Sequence, residues 1–133
     1  MATPIESFRD LLVWQKSMDV ADKMLETTDE ILSLRKYWLV DQLQRASASI
    51  PANIAEGHSG GHTPKQFLKG LYIARGSLAE TLTYLELAAR REYIPKVTAR
   101  EMWKQLQEVG RLLNGLLRSI ARKLPTKKKK PNP

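Results

Sequence analysis

The chain has 133 residues, a length that fits one domain with a sizeable core, and 42% of its residues are hydrophobic. It contains no cysteine, which excludes disulfides and thiolate chemistry, and no apolar run approaches the roughly 18 residues of a membrane span. Its first ten residues, MATPIESFRD, do not resemble a signal peptide, so we expect a cytoplasmic protein that does not associate with membranes.

The net charge of +8 is concentrated at one end of the chain. All 14 acidic residues precede residue 111, whereas eight of the 22 Lys and Arg residues lie within residues 111–133. Residues 1–110 are therefore neutral overall, and the last 23 residues carry the whole excess. A basic block of this kind attracts polyanions or keeps a protein soluble.

Apolar residues recur with a period near 3.6 in four segments, and no alternating strand pattern appears. In the first segment, one helix face carries Leu11, Trp14, Met18, Ala21 and Leu25. The Thr-Thr-Asp sequence at residues 27–29 is expected to weaken this helix. Ser33 is predicted to cap the next one.

The second helix is predicted over residues 36–57 and contains a proline. Its buried face carries Val40, Leu43, Ser47, Ile50 and Ile54. Pro51 removes one helical hydrogen bond and clashes with the preceding turn, but the apolar face keeps its phase on both sides. A kinked, continuous helix is therefore expected. Residues 57–63 read as a loop, with Thr63 as the N-cap of the third helix and Pro64 at its first position.

The third and fourth helices are predicted over residues 64–91 and 96–123. The apolar face of the third carries Phe67, Leu71, Leu78, Leu82 and Leu85. That of the fourth carries Met102, Leu106, Val109, Leu113, Leu116, Leu117 and Ile120. Four helices joined by short loops predict an all-α fold, an antiparallel up-down four-helix bundle. The bundle domain is predicted to span residues 1–124, followed by a disordered Lys-rich tail at 125–133.

A second face of the second helix is built from small residues with charges at its edges. Arg45, Ser49, Ala52 and Glu56 repeat at spacings of 4, 3 and 4. Small side chains allow a neighbouring helix to approach closely. Arg45 and Glu56 lie about 16 Å apart along the helix, too far to pair within it. These four residues are therefore predicted to form an oligomer interface in which Arg45 and Glu56 pair between chains.

The fourth helix carries a basic face opposite its apolar one. Its members are Arg100, Lys104, Arg111, Arg118 and Arg122, at spacings of 4, 7, 7 and 4. They fall within about 40° of one another around the helix, and no acid occupies these positions. The face leads into Lys123 and the tail lysines Lys127, Lys128, Lys129 and Lys130. A solvated helix face is the simpler interpretation, but such faces normally mix charge signs. We therefore predict contacts to a phosphate backbone.

Arg75 lies beside the apolar face of the third helix. Its guanidinium is expected to be partly buried, and a buried arginine needs a partner. Glu56, Asn53 and Glu86 are the candidates. A polar pair that fixes helix register is favoured over a ligand site.

No pattern in the chain points to catalysis or to a metal. His58 and His62 have the HxxxH spacing, but Gly60 and Gly61 interrupt it and no third ligand is near. No carboxylate stands at catalytic spacing from a histidine, and the Glu-x-x-His motif of di-iron bundles is absent. We expect no enzymatic activity, no metal and no cofactor.

Three stretches carry a family resemblance: LLVWQKSM at 11–18, QLQRASASIPANIAEG at 42–57 and FLKGLYIARGSLAETLTYLELA at 67–88. They resemble the 23S rRNA-intervening sequence protein family, whose fold group includes the accessory variability determinant proteins of diversity-generating retroelements. The resemblance implies a homopentamer with a basic surface and, in the retroelement members, binding to a reverse transcriptase and to nucleic acid without catalysis. The recurring polar positions of the family correspond here to Arg45, Asn53, Glu56, Gly57, Arg75, Ser77 and Glu80. Of these, Asn53, Arg75, Ser77 and Glu80 are expected to be structural.

The leading functional hypothesis is a non-enzymatic, oligomeric accessory protein that binds RNA or DNA through the basic face and the lysine tail. The alternative is a protein-interaction scaffold that docks a reverse transcriptase or another protein. A small-molecule or metal-binding bundle is a third and weaker possibility.

Overall fold

A computed structural model describes residues 7–59 and 63–125 of the chain. It contains four α-helices: α1 (Leu12–Glu30), α2 (Tyr37–Ser59), α3 (Pro64–Arg90) and α4 (Lys96–Ala121). Single 3₁₀ turns at Phe8–Asp10 and Leu32–Leu34 precede α1 and α2, and these described residues include no strand. Each helix packs against two others in the cyclic order α1, α2, α3, α4. The predicted antiparallel four-helix bundle is confirmed. The lysines at 127–130 and all of the predicted tail except Pro125 lie outside the described residues.

The apolar faces predicted for α2, α3 and α4 form the core. Their most deeply buried side chains are Leu43, Ile50, Ile54, Leu71, Leu85, Met102, Leu106, Val109 and Leu113. Thr63 caps α3 as predicted, because its hydroxyl accepts a hydrogen bond from the Gln66 amide at 3.2 Å and Pro64 occupies the first turn. Pro51 is buried within α2, and the helix continues on both sides of it.

The prediction for α1 is wrong in two respects, the first of which is its buried face. Met18 and Leu25 were placed on that face but are 42% and 45% exposed. The residues that α1 buries are Val13, Ser17, Val20, Ala21, Met24, Thr27 and Thr28. Polar residues can occupy this face because their hydroxyls bond to the helix itself. Ser17 donates to the Trp14 carbonyl at 2.9 Å, so it enters the core without an unsatisfied group.

The second error concerns the end of α1 and the start of α2. The helix continues through the Thr-Thr-Asp sequence to Glu30, and the hydroxyls of Thr27 and Thr28 are satisfied within it because each donates to a carbonyl one turn earlier, at 2.8 Å. Ser33 caps nothing, since it lies in the 3₁₀ turn at Leu32–Leu34 and α2 begins only at Tyr37. Arg35 closes that turn in the left-handed conformation, with φ of 60°.

Helices α2 and α3 make the most extensive contact in the bundle, and two glycines meet in it. A Cβ atom placed on Gly70 would lie 2.8 Å from the Cα of Gly57 and 2.5 Å from the carbonyl oxygen of Asn53. Both contacts are to backbone, so no side-chain rotation could relieve them. The glycine that ends the IPANIAEG block therefore has a packing role, because it lets α3 approach the backbone of α2.

Candidate nucleic-acid interface

The basic face lies on the outer side of α4. The helix buries Ala99, Met102, Leu106, Val109, Leu113, Leu117 and Ile120. The five predicted basic residues, Arg100, Lys104, Arg111, Arg118 and Arg122, are all exposed, as is Lys123 just beyond the helix. Regular amphipathic spacing thus places the cations on one side of the helix, turned away from the core.

Arg111 differs from the other cations of this face because an acid lies one turn before it. Its Nε donates to Oε2 of Glu108 at 3.0 Å, and its Nη2 bonds to the other carboxylate oxygen. The guanidinium lowers the pKa of the Glu108 carboxyl from its ordinary value, and the carboxylate raises the pKa of Arg111. The basic face is therefore bordered by an acid on the side of α1.

The remaining cations have no acidic partner. Within residues 7–59 and 63–125, ion pairs within 4.0 Å join only Lys23 to Glu26, Arg45 to Asp41, Arg90 to Glu86 and Arg111 to Glu108. Arg100, Lys104, Arg118 and Arg122 take part in none of these. Their charges are available to an external anion.

Arg75 does not occupy the position predicted for it. It is exposed, and it contacts neither Glu56, Asn53 nor Glu86. Its guanidinium instead lies 5.0 Å from the centre of the Tyr72 ring, and its Nη1 donates to Oδ1 of Asn114 on α4 at 3.4 Å. The prediction was wrong because the residue lies at the edge of the α3–α4 contact, on the side that faces water.

This position brings Arg75 next to the basic face of α4. Asn114 is one helical turn before Arg118, so the arginine of α3 extends the cationic surface sideways. The half-exposed Tyr72 adds an aromatic ring to the same surface. Sequence reasoning missed both residues as interface candidates. The spacing of three residues between Tyr72 and Arg75 places them on one side of α3, and this could have been read from the sequence. That this side lies next to α4 follows only from the way the two helices pack.

The residues predicted for an oligomer interface have different environments. Arg45 pairs with Asp41 in its own helix at 3.0 Å, while Ala52 and Glu56 are exposed. The Ser49 hydroxyl hydrogen-bonds to Ser77 of α3 at 2.8 Å.

The structural role expected for Asn53 and Ser77 fits a small network in the α2–α3 contact. The Asn53 amide donates to the Ser49 carbonyl and hydroxyl, each at 2.8 Å. Ser77 is buried, whereas Glu80 is exposed and forms none of the ion pairs described above. Ser77 thus joins α3 to α2 through Ser49, and Asn53 supports Ser49 from within α2.

An apolar groove of about 470 Å³ runs between α1 and α2. Its walls include Trp14, Met18 and Leu25 from α1, facing the small residues of α2. Those small residues are Ala48, Pro51, Ala52 and Ala55. The α1 residues that were expected in the core thus form one side of a surface groove, and Ala52 contributes to the other.

No group of three or more His, Asp or Glu side chains suited to a metal is found in the part of the chain that the structure describes. His58 makes an edge-to-face contact with the Phe67 ring, at 5.3 Å between centroids, while His62 is outside the described residues. None of the four helices is long and apolar enough to cross a membrane.

The fold and this surface define a class: a small four-helix bundle with a basic outer face on its last helix. The model of the 23S rRNA-intervening sequence protein family matches residues 9–115. The chain therefore belongs to that family. The relation to retroelement accessory proteins stays a prediction.

A solved structure supports the same assignment. It is the crystal structure of a protein of unknown function from the S23 ribosomal protein family of Bacteroides thetaiotaomicron VPI-5482. The two chains are 30% identical and superpose with a TM-score of 0.58, covering 77% of this chain and 98% of the other. No curated protein matches the chain.

Proposed function

We propose that the protein is a non-enzymatic, oligomeric accessory protein that binds RNA or DNA through the basic face of α4. The observation that carries the proposal is the row of exposed cations from Arg100 to Arg122, of which only Arg111 has an acidic partner. The family name refers to intervening sequences of 23S rRNA and states no binding activity. The proposal therefore depends on the distribution of charge.

The dimensions of this face suit a phosphate backbone. Its first and last arginines, Arg100 and Arg122, are 22 positions apart in the sequence, which corresponds to about 33 Å along the helix axis. Cations spaced by one or two turns can contact successive phosphates, and each contact releases counterions. We expect binding that is largely independent of sequence and weakens steeply as salt rises. Lys123 and the tail lysines would add to the same field.

Charge reversal tests the proposal. The variant R111E/R118E/R122E should lose most of its affinity for a generic RNA and a generic DNA, measured by fluorescence anisotropy at two salt concentrations. A matched control, R35E/K65E/K69E, changes the net charge equally at exposed positions outside α4 and should keep most of the affinity. Equal affinities and salt slopes in the wild type and the α4 variant would show that the face is only solvated.

Self-association is the second part of the proposal, and the groove between α1 and α2 supports it. The exposed Met18 and Leu25 beside a row of alanines leave apolar surface that a second copy could cover. We infer a homopentamer, as the family resemblance implies, with Ala52 and Glu56 in the contact and the Arg45–Asp41 pair at its edge. Light scattering should then give about five times 15.1 kDa.

A pair of alanine variants tests where the chains meet. A52E places a charge in the groove and should reduce the mass in solution. A79E places the same charge at an exposed position of α3 and should leave the mass unchanged. A wild-type monomer at micromolar concentration would refute both the interface and the pentamer.

A protein-docking scaffold is the second candidate function, and one end of the bundle favours it. Leu34, Tyr37 and Trp38 are exposed by 45%, 60% and 64%. Trp38 makes an edge-to-face contact with Tyr84, at 5.8 Å between centroids. Aromatic residues of this kind are enriched in protein interfaces. A purified reverse transcriptase is the partner to test, and Y37S/W38S should abolish its binding while nucleic-acid binding persists.

A further inference from the structure

A second pocket lies where the last turns of α3 meet the first turns of α4, at the opposite end of α4 from Ala121. Its volume is about 410 Å³, within the usual size range of small-ligand sites. Leu85 and Ala99 supply buried apolar wall, and the half-buried Trp103 lines the pocket beside them. The pocket therefore offers an aromatic surface to a flat ligand.

The rim of this pocket is charged. Lys96 and Arg100 come from α4, and neither forms an ion pair within the described part of the chain. Arg90 also lines the pocket but is held by Glu86 at 3.1 Å. Glu92 brings a carboxylate without a cationic partner to the same rim. Two available cations and one available acceptor thus surround an aromatic wall.

The position of Arg100 connects the pocket to the basic face. Arg100 is both the first cation of that face and a lining residue of the pocket. A phosphate backbone that follows α4 from Arg122 would therefore reach the pocket at its end. Lys96 lies one helical turn further in the same direction.

The chemistry of the pocket matches an unpaired nucleobase. Tryptophan stacks on the face of any base, and loss of such stacking weakens binding by about fivefold or more per base. A carboxylate can accept a hydrogen bond from an N–H group on the edge of an unpaired base, while a lysine and an arginine bind the neighbouring phosphates. Bases inside a duplex are stacked and paired, so they cannot enter a side pocket of this kind.

From this arrangement we infer that the α3–α4 pocket binds an unpaired base of a single-stranded nucleic acid whose backbone lies on α4. The inference rests on the proposed function, since the basic face has to hold the strand. It adds a preference for single strands over duplexes, which charge alone would not produce. Trp103 stacks on the base, and Lys96 and Arg100 hold its phosphates.

Tryptophan fluorescence tests this inference directly. The chain has three tryptophans, so W14F/W38F leaves Trp103 as the only one. The probes are a short oligouridylate, the matching oligodeoxyuridylate, a ribose-phosphate oligomer of the same length without bases, and a duplex RNA. Either base-bearing single strand should quench Trp103 and bind at least about fivefold more tightly than the abasic oligomer. A difference between the two sugars would show a contact to the 2′-hydroxyl as well.

A variant of the pocket gives a second measurement. W103L keeps an apolar side chain but cannot stack, and circular dichroism checks that it folds. It should reduce the affinity for oligouridylate to that of the abasic oligomer, while the affinity for the abasic oligomer stays unchanged.

The outcomes separate the pocket from the basic face. Equal affinities for base-bearing and abasic oligomers, without quenching, would overturn the pocket and leave the proposed function intact if R111E/R118E/R122E still weakens both. Quenching by the duplex as strong as by the single strand would also overturn it. Failure of every oligomer to bind at low salt would refute the proposed function and the pocket together.

Discussion

Replacing Gly70 by alanine tests whether the backbones of α2 and α3 are in contact. The new Cβ would lie 2.5 Å from the Asn53 carbonyl oxygen and 2.8 Å from the Gly57 Cα. Both are backbone atoms, so the helices would have to separate. Overpacking of this kind costs about 1–3 kcal/mol, and the short distances favour the upper end. Alanine's higher helix propensity offsets about 1 kcal/mol, so we expect a net destabilisation of about 1–2 kcal/mol.

The assay is urea unfolding followed by circular dichroism at a fixed protein concentration, because self-association would make stability depend on concentration. The midpoint should fall without a change in the slope m. Gly76 is the matched control, since it lies in the same helix and a Cβ there would meet nothing within 4 Å. G76A should therefore stabilise the protein by up to about 1 kcal/mol. If G70A stabilises the protein as G76A does, the close approach of α2 and α3 is refuted.

Three further predictions concern the basic face and the α2–α3 contact. E108Q should raise the affinity for nucleic acid by up to about fivefold, because Arg111 loses a competing partner. The control E101Q removes an acid of the same helix that forms no ion pair in the described part of the chain, and it should have a smaller effect. Equal effects of the two variants would contradict the competition between Glu108 and nucleic acid for Arg111. Arg111 lowers the pKa of the Glu108 carboxyl below its ordinary value of 4.5. The Glu108–Arg111 ion pair is therefore formed at any pH above 4.5, and it is lost as the pH falls through the lowered pKa of the folded protein. NMR titration should show a midpoint for Glu108 below 4.5, and R111Q should raise it. An unchanged midpoint in R111Q would exclude the pair in solution. S77A should destabilise the protein by about 1 kcal/mol, because it removes the hydrogen bond between Ser77 and Ser49 of α2. The control T83A changes an exposed position and should alter stability by less than about 0.5 kcal/mol. Equal effects would argue against the Ser49–Ser77 bond.

The bundle could be predicted from the sequence because three of its four helices have a dominant apolar face. In α4 that face is nearly continuous from Met102 to Ile120, and the opposite side carries the basic face. Such a helix has one favourable orientation against a core. The helix start at Thr63 and Pro64 was equally predictable, because a cap depends on local hydrogen bonding.

The orientation of α1 could not be predicted in the same way, because this helix has two candidate faces. Met18 and Leu25 are more apolar than Ser17 and Thr28, yet the hydroxyl residues are buried. Thr28 satisfies its own polarity by donating to the Met24 carbonyl and accepting from the Gln44 amide of α2. A pattern of hydrophobic residues cannot record such compensation, since it depends on a partner in another helix.

The error for Arg75 has a related cause. Its position around α3 is intermediate between core and solvent, and periodicity cannot decide such a case. The pairing of α3 with α4 decides it, by bringing Asn114 within hydrogen-bonding distance on the exposed side. The same pairing creates the pocket that contains Trp103. Both features belong to a contact between helices, and neither helix predicts them alone.

The most distinctive stretch of the sequence and the proposed binding surface lie on different helices, because α2 packs against α3 while α4 carries the cations. In the stretch RASASIPANIAEG, Ser49 hydrogen-bonds to Ser77 of α3, Asn53 donates to Ser49, and Gly57 permits backbone contact with α3. These interactions stabilise the packing of α2 against α3. The cations of α4 lie on the outside of a different helix and share no partner with that network. Because sites without shared partners behave independently, substitutions of Ser49, Asn53 or Gly57 should act on stability, and substitutions of the α4 cations should act on nucleic-acid binding.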